Sequence, residues 1–193
     1  SAEWAVKLMR DLALETELRG ELRLYDIDRA SAQTNLELGE ALFGRPEAGG
    51  RFSVTLADSL ESALEGSTVV VLSIEPGATE LRYADLEIPE SYGILQTVGD
   101  TIGPGGALRA WRAIPTFVEF GRKIARHAPE AWIINYTNPM TLCTAAIHRG
   151  FSEAKCVGCC HAVPHMQEHL AQFVGSRNGI APPPASYRRR SLI

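Results

Sequence analysis

Two apolar runs, residues 131–139 (AWIINYTNP) and 155–164 (KCVGCCHAVP), constrain the fold more than any other feature of the chain. Each contains β-branched residues and stops abruptly in small or polar ones, as a buried parallel strand does when it delivers side chains to a site. Residues 140–150 between them have helix character. The three segments therefore make a strand–helix–strand unit with both carboxyl ends on one edge of a sheet, which in an open α/β sheet is the ligand-binding edge. The first run hands over Asn138, and the second hands over Cys160 and His161.

The same alternation runs backwards through the chain and predicts an α/β, doubly wound, Rossmann-like parallel sheet. Residues 4–14 carry a helical apolar period. Residues 21–28 (ELRLYDID) read as a strand ending in acid, like the second strand of a dinucleotide-binding domain. On that reading the first strand and its glycine-rich turn would precede residue 1, Ser1 would be a relic of that turn, and a second domain would begin where the pattern fades near residue 175. Residues 30–43 are expected as a helix, 52–56 as a strand, and 59–65 as a helix capped by Asp58. Residues 68–74 are expected as a strand covered on both faces, because they carry no charge. The stretch 80–106 is rich in polar residues, Gly and Pro and reads as a functional loop. Residues 108–126 read as a helix kinked or broken at Pro115. A helix is expected over 165–174. Residues 1–174 then form one domain, and 175–193, with three consecutive prolines and three consecutive arginines, read as a disordered or foreign tail.

Composition narrows the function classes. A formal net charge of −4 gives no basic face for nucleic acid, and no run reaches the length of apolar residues that a membrane span needs. Three of the four cysteines fall within 156–160, too clustered for a disulfide framework, and a cytoplasmic thiolate chemistry is expected. Cys156 and Cys159 have CxxC spacing, but on a strand running to residue 160 they would face opposite ways. Cys160 is then the thiol that can meet a metal, with His161 beside it, while Cys143 and Cys156 read as core. His165 and His169 share an i, i+4 helix face, where surface histidines are also common.

For the other polar groups a functional and a structural reading stand side by side. Asp26 and Asp28 are placed to accept hydrogen bonds from a ribose, or to cap the next helix. Residues 103–106 (GPGG) could offer backbone N–H groups to an anion or sugar oxygen, or simply form a tight turn, with Asp100 and Thr101 adjacent. Arg82 is suited to a substrate carboxylate or phosphate, or to solvent. Asn138 is suited to a hydroxylated ligand, or to an Asx turn.

Four motifs in order, LYDID (24–28), VGDTIGPGG (98–106), NYTNPM (135–140) and VGCCHAVP (157–164), resemble glycoside hydrolase family 4 over roughly residues 1–174. That NAD-dependent family stands apart from the two-carboxylate scheme of most glycosidases. The resemblance implies NAD on a Rossmann-like domain, with Ser1, Asp26, Asp28 and Ser73 on the cofactor side, and a divalent metal, usually manganese, on the sugar hydroxyls. It implies Cys160 as metal ligand and Arg82, Asn138 and His161 as substrate contacts. By analogy, oxidation at sugar C3 acidifies the C2 proton, a base removes it, the aglycone leaves C1, water adds and the hydride returns. The His161 position and the VGDTIGPGG form are similar to members acting on unphosphorylated α-glycosides or α-uronides, such as α-galacturonidases. The family's metal histidine and tyrosine base lie in its second half, and no tyrosine here sits in a matching context. A small carbohydrate is the expected partner, in an assembly that can be homo-oligomeric. The competing readings are an NAD-dependent 2-hydroxy acid dehydrogenase, which would accumulate NADH, and a non-catalytic remnant.

Overall fold

The computed structural model describes residues 2–160 and 162–178, which divide into two compact units between Gly158 and Cys159. In the first unit helices and parallel strands alternate: α1 (Ala2–Leu14), β1 (Gly20–Leu24), α2 (Arg29–Phe43), β2 (Phe52–Leu56), α3 (Leu60–Leu64), β3 (Val69–Leu72), α4 (Thr79–Glu90), α5 (Gly103–His127), β4 (Trp132–Asn135), α6 (Met140–Gly150) and β5 (Lys155–Gly158). The second unit contributes α7 (Ala162–Asn178). This helix extends past the expected end at residue 174; the rest of the expected tail lies outside the described residues.

The strands form two parallel sheets, β1-β2 and β3-β4-β5. In the doubly wound order 3-2-1-4-5-6 these occupy positions 3-2 and 4-5-6, and no described strand holds the central position. Two apolar clusters match the two sheets. Met9, Phe43 and Val54 join α1, α2 and β2, while Phe117, Ile124, Ile133 and Ile147 join α5 and α6 to the larger sheet. The helices α5 and α6 meet without side chains between them at Gly121 and Gly150. A Cβ on Gly121 would lie 2.4 Å from the Ile147 carbonyl oxygen.

Several expectations need correction. The stretch 80–106 is not one loop. Thr79–Glu90 is helical, and its two buried residues are Asp85, at 5% exposure, and Pro89, so no apolar stripe announces it. Residues 103–106 are the first turn of α5 rather than a turn ahead of it. Pro115 does not break α5, which continues for 25 residues; the carbonyl deprived of a partner belongs to Trp111, on the solvent side. Ser59, not Asp58, caps α3, accepting the Ser62 N–H while the Ser62 hydroxyl receives the Ser59 N–H. In the larger sheet one face is open among the described residues: Val69 is 52% and Trp132 58% exposed, and these are register partners. β3 is therefore buried on alternate residues, not on both faces. β5 ends at Gly158, so strand alternation says nothing about Cys159.

Candidate active site

The motif that ends β4 divides its work among three polar residues. Asn135 is fully buried; its Oδ1 accepts the Thr137 N–H at 2.9 Å and its Nδ2 donates to the Thr144 hydroxyl at 3.2 Å. Thr137 Oγ1 accepts the Ile74 N–H at 3.0 Å, tying the carboxyl end of β3 to that of β4. Asn138, unlike Asn135, turns its side chain to the loop ahead of α5. Its Nδ2 donates to Asp100 Oδ2 at 2.9 Å, and the Thr101 hydroxyl donates to Asp100 Oδ1 at 3.0 Å. No hydrogen bond to Asn138 Oδ1 occurs among the described residues, so this oxygen can accept from a hydroxyl. Asp100 also lines a hollow of about 420 Å³ formed by residues 95–102.

Two arginines on α5, absent from the sequence-based candidates, organise this region. Arg109, with 7% of its side chain exposed, donates through Nη2 to Glu75 Oε2 at 2.6 Å and through Nε to the Asn138 carbonyl at 3.1 Å. One turn on, Arg112 makes a two-pronged pair with Asp85: Nη1 to Oδ1 at 2.8 Å, and Nη2 to Oδ2. This charge-assisted pair raises the Arg112 pKa above its ordinary value against the opposing effect of burial. Asp85 lies one turn along α4 from Arg82, which is exposed and makes no hydrogen bond or ion pair among the described residues. In the sequence the arginines show only as two charges within the helical stripe that continues through Ala113 and Phe117, with nothing local to name their partners. The glycines at the start of α5 are needed for close approach. A Cβ on Gly105 would lie 2.7 Å from the Asp85 carbonyl oxygen, and the Gly105 N–H is already taken by Gln96 Oε1 at 3.3 Å.

At the end of β1 the two acids differ. Asp28 is the N-cap of α2, its Oδ1 accepting the N–H groups of Ala30 and Ser31 and its Oδ2 the Ser31 hydroxyl. Asp26 Oδ1 accepts the Asp28 N–H at 3.0 Å, and its second oxygen has no hydrogen bond among the described residues, so Asp26 fits a ribose diol better. Ser73 follows β3, and Ser1 lies outside the described residues. The Ser31 hydroxyl and N–H hold the Asp28 pKa below its ordinary value. A depressed carboxylate contributes stability above its unfolded pKa and loses it as pH falls through the lower folded one. Asp28→Asn keeps a capping acceptor without the charge, so its unfolding midpoint should fall less steeply than the parent's below about pH 4 in urea titrations.

The cysteines separate by exposure. Cys143 is buried, and desolvation pushes its thiol up to about 11. Cys160 is exposed, with Sγ accepting the Ala162 N–H at 3.4 Å. Iodoacetamide at neutral pH should label Cys160 well before Cys143, as peptide mass spectrometry would show. His161 lies outside the described residues, and His169 is exposed. Among the described residues no three His, Cys, Asp or Glu side chains are grouped to hold a metal ion.

Parallel strands alternating with helices, with an acid beyond β1 and an amide beyond β4, define a Rossmann-like α/β domain with its polar groups at strand carboxyl ends. The chain belongs to the family 4 glycosyl hydrolases, which it matches over residues 1–176. It is 44% identical over 180 residues to an alpha-galacturonidase of Thermoanaerobacterium saccharolyticum, covering 93% of this chain and 39% of that protein. The structure of lplD from Bacillus subtilis superposes with a TM-score of 0.88 at 42% identity, over 95% of this chain and 41% of that one. A 6-phospho-beta-glucosidase from Thermotoga maritima, solved with manganese, NAD+ and glucose-6-phosphate, gives a TM-score of 0.73 at 25% identity over 89% of this chain and 40% of that one. The chain therefore spans about two fifths of the length of the relatives it matches. Among the described residues no helix is long and apolar enough to cross a membrane.

Proposed function

We propose that this chain supplies the cofactor-side half of a glycosidase acting on α-glycosides or α-uronides, with an α-galacturonide the first choice of substrate. The observation that carries the reading is Asn138, held at its carbonyl by Arg109 and at its amide by Asp100, with Oδ1 available beyond the end of β4. Identity to the alpha-galacturonidase supports the substrate class. In this reading Asn138 Oδ1 accepts a hydrogen bond from a sugar hydroxyl, and Asp100 keeps the amide from rotating. Arg82, exposed on α4, answers the carboxylate of a uronide. Asp26 holds the ribose diol of NAD, its carboxylate oxygens accepting from the two hydroxyls. When bound, NAD supplies reversible oxidation at sugar C3, which is what makes the neighbouring C2 proton removable.

The base that removes that proton, and all but one of the metal donors, are assigned to the counterpart of the relatives' length that this chain does not span, supplied by a partner chain or by further residues. Manganese is inferred from the Thermotoga maritima relative, with Cys160 as this chain's donor. The reading also favours cytoplasmic action on a small carbohydrate by a homo-oligomer.

The test is release of the aryl group from an aryl α-galacturonide by the intact protein under reducing conditions, with and without NAD and manganese. Release that needs both additions and is lost in Cys160→Ser supports the proposal. Release independent of both, or accumulation of NADH with a 2-hydroxy acid, overturns it, the latter in favour of a dehydrogenase.

A further inference from the structure

A buried guanidinium is costly unless its donors are used, and a methionine at the same place on α5 would fill the space between the helix and the strand ends without that cost. Arg109 is only 6% exposed as a residue, yet it does not pair with a neighbour on its own helix. It reaches two segments far apart in sequence: Glu75, three residues beyond β3, and the backbone of Asn138, three residues beyond β4. The bond to Asn138 is made to the peptide carbonyl, not the side chain. It therefore holds the peptide plane from which the Asn138 side chain departs, while Asp100 holds the far end of that side chain. Glu75, Arg109, Asn138 and Asp100 make one continuous hydrogen-bonded series across four segments. Only the two ends, Glu75 and Asp100, carry negative charge.

We infer that Arg109 is the positioning residue for Asn138, setting the direction in which Asn138 Oδ1 meets the substrate hydroxyl. The inference rests on the reading of Asn138 as a sugar-binding residue. It concerns orientation rather than chemistry, since Arg109 is too deeply buried to touch substrate itself. The neighbouring Asn135 supplies an internal comparison. Its amide is held by Thr137, Met140 and Thr144, none of which contacts Arg109 through a hydrogen bond among the described residues.

The experiment reads the side-chain amide resonances of Asn138 and Asn135 in the ¹⁵N-labelled chain, each assigned by its loss in Asn138→Asp or Asn135→Asp. Arg109→Lys keeps a charge opposite Glu75 but cannot serve both partners, and Glu75→Gln, a milder change, guards against a variant that fails to fold. In both, the Asn138 amide pair should shift and exchange faster with solvent, while the Asn135 pair stays in place. In the intact protein, Arg109→Lys should raise KM for an aryl α-galacturonide roughly tenfold with kcat little changed, the pattern of binding lost equally from ground state and transition state. Movement of both amide pairs together would make Arg109 a merely structural residue, and movement of neither would mean that it does not orient Asn138; each result overturns the inference. The amide spectra decide this whether or not the parent hydrolyses glycosides, so an inactive parent contradicts the proposed function separately.

Discussion

Arg112→Met is expected to destabilise the first unit by about 3 kcal/mol or more, because it leaves the Asp85 carboxylate buried without its cation. Asp85 has 7% of its side chain exposed, and both of its oxygens are met by Arg112. A surface ion pair would be worth less than about 1 kcal/mol, so burial decides the size of the effect. Asp85→Asn in the Arg112→Met background should recover much of the loss, since the asparagine leaves no buried charge. Urea unfolding of the parent, the single variant and the double variant checks this. A single variant within about 0.5 kcal/mol of the parent would show that Asp85 reaches water or another cation. The pair also ties α4, which carries Arg82 one turn from Asp85, to α5.

Gly121→Ala separates two opposed effects of one methyl group. Helix propensity alone favours the alanine by about 1 kcal/mol in the middle of α5. The crossing with α6 opposes it: the new Cβ would stand 2.4 Å from the Ile147 carbonyl oxygen and 3.2 Å from Gly150 Cα. Both are backbone atoms, so the helices themselves must separate, and overpacking of this kind typically costs about 1–3 kcal/mol. The variant should therefore be less stable by up to about 2 kcal/mol, and Gly121→Val by more, as measured by the urea midpoint. A stabilised Gly121→Ala would mean that α5 and α6 do not meet as closely as described. This crossing matters to function because α5 brings Arg109 and Arg112 to the strand ends, while α6 begins directly after Pro139.

How far the sequence can be read follows from which physical signals are local. The strand–helix–strand unit at β4, α6 and β5 is legible because its apolar runs and polar stops lie within a few residues of one another. Asn138 stands out for the same reason. α4 escapes such a reading because its inward positions include an aspartate whose partner, Arg112, is 27 residues away. Arg109 escapes it similarly: a charged residue within an apolar helical stripe has meaning only when Glu75 and Asn138 are known to converge on it. Pro115 misleads because the cost of proline depends on whether the orphaned carbonyl faces water, which spacing does not tell. The acids after β1 read as a pair in sequence, yet Asp28 is engaged in capping while Asp26 keeps an oxygen to offer. The family motifs supply what no local signal can, the association of these strand ends with a glycosidase.

The central claim of the proposed function is an oxidation–elimination–addition–reduction cycle rather than direct displacement at C1. It is tested most directly by running the hydrolysis of an aryl α-galacturonide by the intact protein in D2O, with NAD and manganese, and examining the released sugar by NMR. Removal of the C2 proton to a base that exchanges with solvent predicts deuterium at C2 of the product, with no net NADH. A product that keeps its C2 proton while hydrolysis proceeds would contradict that cycle and point to displacement without oxidation.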